Sequence, residues 1–76
     1  MTRIHKALLL VEQVRSSPRG WRYASWLCDL LDVPPTTLRR YVVACQEVHA
    51  GIVWEGEGRQ AVVRWDADAE LGGGGV

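Results

Sequence analysis

This chain has no net charge, only two cysteines, and no apolar run long enough to cross a bilayer. Each shortage excludes something. Neutrality removes the strong basic signal with which nucleic-acid binders often announce themselves. Cys28 and Cys45 stand too far apart for a metal knuckle or a redox pair. Two readings of them remain, small buried thiols or a disulfide between helices. Ala7-Leu8-Leu9-Leu10-Val11 is bounded by Lys6 and Glu12, so neither a spanning helix nor a secretory leader is expected, and the reading is a cytoplasmic chain without a membrane partner. Catalytic constellations are missing as well. One serine pair, two histidines and scattered carboxylates supply no nucleophile with a base and an orienting group. The terminal glycine run has no preceding strand and no following helix to make a phosphate loop, and His5, Cys28, Cys45 and His49 fit no zinc spacing. The expectation is therefore a non-enzyme without cofactor or metal.

What is present suffices for one small domain. Apolar residues make up 47% of the 76 residues and include four tryptophans, enough for a folded core rather than a disordered chain. The tryptophans, each beside apolar neighbours, can pack in a core or between subunits, or stack on bases, with Trp54 the one expected to be exposed. Charge is unevenly spread. Residues 1–64 hold all nine basic residues against six acids, an excess of three positive charges, and Asp66, Asp68 and Glu70 follow. The division expected is a domain over 1–65 and a flexible acidic, glycine-rich tail over 66–76.

Apolar spacing at Ile4, Ala7, Leu8, Val11 and Val14 predicts a helix over about 2–16, capped by Thr2. Leu9 and Leu10 widen its stripe, either into the core or toward another subunit. Ser17-Pro18-Arg19-Gly20 is a turn signal, and a short strand at Trp21-Arg22 precedes a second helix over about 24–31. The apolar side of that helix is Trp26 or Leu27 with Leu30 and Leu31. A third helix is expected over about 35–49, with Leu38, Tyr41, Val42, Cys45 and Val48 inward and Gly51 as its stop. Ile52–Glu55 and Arg59–Trp65 then read as strands around Gly56-Glu57-Gly58, a hairpin signal. Ala61, Val63 and Trp65 share one face by alternation, and Ile52 and Trp54 share another.

The stretch that organises the rest runs from Leu27 to Val42. Leu27, Leu31, Val33, Leu38 and Val42 can meet in one core if two helices cross steeply over the short Asp32-Val33-Pro34 connection. Thr36, Thr37, Arg39, Arg40 and Val43 then lie outward. With Leu27, Leu31, Val33, Thr37, Leu38 and Arg40 matching its pattern, and Cys28 where a small residue is usual, this run resembles the winged helix-turn-helix regulators of the DeoR-like and biotin-repressor-like type. Asp32 stands where that pattern has Gly or Asn, and Pro34 where it has a capping Ser, with Pro35 pre-set for the first turn. The resemblance covers about residues 3–65. It implies an α+β, mainly α fold: three helices with a C-terminal β-hairpin wing.

It also implies sequence-specific binding of double-stranded DNA by a small transcriptional regulator of phage or mobile-element type, working as a homodimer on two half-sites. Thr36 and Arg39 would meet base edges, Thr37 and Arg40 phosphate, and Val43 would extend the same face. Arg59 would anchor the wing. Glu47, at the far end of that face, would confine contact to the first two turns. The alternative is a winged helix that binds protein, such as a phage-type inhibitor or an adaptor, favoured by neutrality, Glu47, Glu57 and tryptophans that look exposed.

Overall fold

A computed structural model describes residues 2–68, and they form a small α+β unit, mainly helical. In chain order it has α1 (Arg3–Arg15), β1 (Trp21–Tyr23), α2 (Ala24–Leu31), α3 (Pro35–Gln46), β2 (Ile52–Glu55), a 3-10 turn (Gly58–Gln60) and β3 (Val62–Trp65). The three strands make one antiparallel sheet in the order β1-β3-β2. The segment expected to be a tail begins within the described residues, where the Asp66 amide donates to the Gly51 carbonyl at 2.6 Å. Its glycine run lies outside them.

Local chemistry sets the helix ends. The Thr2 hydroxyl accepts from the His5 amide at 3.1 Å and satisfies one of the free donors of α1. Asp32 closes α2 in the left-handed region, φ 55°, a conformation that a short acid tolerates. The Val33 amide then bonds back to the Cys28 carbonyl at 3.1 Å. Pro34 caps α3 without a side-chain acceptor, as its residue type dictates, and Pro35 occupies the first turn.

One core serves the whole unit. Leu10 and Val14 of α1, Leu27 and Leu31 of α2, Leu38 and Val42 of α3, and Ile52 and Val63 of the sheet are fully buried. Val33 packs against them, completing the cluster expected across the α2–α3 connection. The register pairs Ile52 with Trp65 and Trp54 with Val63, and so brings the two hairpin stripes onto a single inward face. Ser17, buried, holds the entry to β1 by donating to the Trp21 carbonyl at 2.7 Å. Gln46 ties the end of α3 to β2, donating to the Ile52 carbonyl at 3.0 Å. Cys28 and Cys45 are free, buried thiols.

Five expectations need correction. Ile4 and Leu8 are exposed, and Leu10 takes their place in the core, because α1 docks with its face turned from the stripe that spacing suggested. In α2 it is Leu27, with Ala24, Cys28 and Leu31, that is buried, whereas Trp26 and Leu30 are exposed. α3 ends at Gln46 rather than near His49: the Glu47 and Val48 amides bond three residues back, to the Ala44 and Cys45 carbonyls, which tightens the last turn, and Val48 faces outward. Arg59 lies in the 3-10 turn and not in a strand, since Gly56 and Gly58, at φ 88° and 62°, bend the chain before β3 begins. Trp54 is half-buried against the core, and the more exposed tryptophan is Trp26.

Candidate nucleic-acid interface

α3 is gripped on one side only. Leu38, Val42 and Cys45 anchor it in the core, and helical spacing turns Thr36, Arg39, Arg40, Val43 and Glu47 to the opposite side. All five are exposed. Thr36, Arg39, Arg40, Val43, Ala44 and Glu47 line one shallow depression along this face. Thr37 is half-buried and stands outside that group.

Pro35–Gln46 contains Arg39 and Arg40 and no acid. Among the described residues neither arginine pairs with a carboxylate, whereas Arg64 is bound to Glu55 at 2.8 Å and lies 3.7 Å from Asp66. Arg39 leans toward the hairpin, with its guanidinium carbon 5.7 Å from the centre of the Trp54 ring. Such a contact is worth roughly 0.5–1 kcal/mol on a surface.

The hairpin loop brings Arg59 toward the same region. Arg59, Gly58, Trp54, Pro35, Ser25 and Cys28 border a hollow of about 260 Å³ between the starts of α2 and α3. The Ala24 amide fixes the loop from the other side, donating to the Ala61 carbonyl at 2.9 Å. Arg59 is exposed and, among the described residues, has no ion pair. Glu57, also exposed, precedes it by two positions.

Trp54 is the contributor that spacing missed. In fact each tryptophan has an arginine over its ring: Arg19 on Trp21 at 5.7 Å, Arg22 on Trp26 at 4.6 Å, Arg39 on Trp54 at 5.7 Å and Arg15 on Trp65 at 5.1 Å. The first two pairs are close in sequence and legible as such. The other two join distant segments.

Burial lifts the Cys28 thiol above its ordinary value of 9.0, with a further push from Asp29, and burial alone does the same for Cys45. Both thiols are protonated near neutrality and poor nucleophiles. No group of three or more His, Cys, Asp or Glu is placed to hold a metal ion among the described residues. No protein-family model, curated protein or solved structure matches the chain.

Proposed function

We propose that this chain is a winged helix-turn-helix domain that binds double-stranded DNA, with α3 as its recognition helix and the β2–β3 hairpin as its wing. The observation that carries the reading is Arg39 and Arg40, adjacent, exposed and without carboxylate partners among the described residues, on a helix whose other side is buried. A helix offered in this way fits the major groove, where guanidinium groups pair with guanine edges and with phosphate. The short α2–α3 connection supports the reading, as does a strand preceding α2 that pairs onto the hairpin following α3.

Within it, Arg39 and Thr36 meet base edges, and Arg40 and Thr37 meet phosphate. Val43 offers an apolar contact in the groove. Arg59 reaches the backbone beside the wing. Contact ends near Glu47, whose carboxylate repels phosphate. Occupancy of a specific duplex site in this manner suits regulation of transcription, and so small a footprint calls for two copies on neighbouring half-sites.

The test is binding to duplex DNA across a salt series. Replacing Arg39 and Arg40 by alanine is expected to flatten the slope of log affinity against log salt by about 0.9 for each phosphate that is no longer neutralised. It should cost at most about 1 kcal/mol of thermal stability, the size of the Arg39–Trp54 contact, because both side chains are otherwise exposed. A wild type that fails to bind DNA at low salt overturns the reading and favours the protein-binding alternative, for which the exposed aromatics Tyr23 and Trp26 speak.

A further inference from the structure

The three most exposed aliphatic side chains of the described residues meet in one place. Ile4 is 74% exposed, Leu8 65% and Val48 76%. They rim a groove of about 240 Å³ between α1 and the end of α3, floored by Ala7, Ala44 and Cys45. Such a grouping is not the scatter of single apolar residues normal on a surface, and contiguous apolar patches of this kind mark sites of association. We propose that this face is a homodimer contact, in which two copies pack α1 against α1 in antiparallel fashion about a two-fold axis near Leu8.

Self-complementarity and charge favour a second copy as the occupant. A two-fold contact uses the same patch twice, so the patch must hold both a ridge and a recess. Ile4 and Leu8 form the ridge, and the groove beside them forms the recess. Charge points the same way. α1 has no acid in its first turn, where one would offset the partial positive charge of the helix start. Its only acid, Glu12, is exposed, lies one turn beyond Leu8 and has no ion pair among the described residues. With Leu8 on the axis, antiparallel pairing sets Glu12 of one copy beside His5 and the first turn of the other. This happens twice, once on each side of the axis. α1 is 13 residues, about 20 Å long.

The half-site arrangement proposed above needs the two copies to touch, and this face would provide for it. Its test involves no DNA, so the two proposals fail separately. Sedimentation of the full chain through the micromolar range is expected to show a monomer–dimer equilibrium. Leu8→Glu should weaken it by roughly tenfold or more while leaving circular dichroism unchanged, and its melting temperature should match that of the wild type only at concentrations low enough for both to be monomeric, since the site is exposed in the monomer. Glu12→Lys should weaken it less, and Glu12→Lys combined with His5→Glu should restore it. A wild type that stays monomeric throughout overturns the proposal and leaves the groove to a different protein or to the chain's own last residues. A dimer that survives Leu8→Glu overturns it too, placing the contact elsewhere.

Discussion

The two ends of α3 are dressed for different company. Its first half turns hydroxyls and two guanidinium groups outward, and these remain well solvated whether or not anything binds. Just past its other end, Val48 joins Ile4 and Leu8 of α1, and these three aliphatic side chains are left in water at a standing cost. The exposed surface is similar in kind of backbone, so the difference lies in the side chains alone. Polar exposure is compatible with a free state, whereas clustered apolar exposure costs ~25 cal/mol for each Å² that could be covered. The first face can wait for a partner met occasionally, and the second calls for one that is nearly always there.

The sharpest way to break the comparison is to remove the support that both faces share. Leu38→Ala empties a fully buried site beneath α3 and should cost about 2–5 kcal/mol, read as a lower urea midpoint, with DNA binding and self-association abolished together. Next comes separability. Removing Arg39 and Arg40 should alter the salt slope and leave the mass unchanged, and Leu8→Glu should do the reverse. A variant that moves both readouts would show that the faces are coupled. A smaller effect is expected from Trp54→Leu, which removes the ring under Arg39. DNA affinity should fall by about two- to fivefold, equivalent to the ~0.5–1 kcal/mol of the stack, with no change in sedimentation.

The smallest effect concerns the two thiols. Their pKa values are raised in the folded chain, so on going up in pH the unfolded chain loses these protons first. Stability should therefore be flat below the ordinary value of 9.0 and fall as pH rises past it. Thermal melts from about pH 7 to about pH 10 check this, with Cys28→Ser and Cys45→Ser each reducing the slope.

Much of the fold is readable in the sequence because its signals are local. Thr2 caps α1, the Pro34-Pro35 pair starts α3, and the paired glycines at Gly56 and Gly58 end one strand before the next. The differences arise where distant packing chooses between local options. α1 is apolar at 4, 7, 8, 9, 10, 11 and 14, so two faces compete, and only packing against β3 and α3 selects Leu10 over Ile4 and Leu8. Val48 continues a helical repeat whose hydrogen bonds have already turned back at Cys45. At the candidate interface, the outward group of Thr36, Arg39, Arg40 and Val43 follows from helical spacing. Trp54 beneath Arg39 does not, because 15 positions and a change of element separate them in the chain. Nor does the place of Arg59, which depends on how the hairpin loop closes onto α2.

The strand order has a consequence for how the chain comes off the ribosome. β3, the last of the described strands to be synthesised, lies in the middle, and β1 and β2 touch it rather than each other. β1 is made long before β3 and stays without its partner meanwhile, β2 precedes β3 by only a short loop, and until β3 is made the helices have no sheet to close over. Val62–Trp65 is the keystone: a nascent chain stalled before it should remain open to proteases, and one stalled after it has cleared the exit tunnel should resist them.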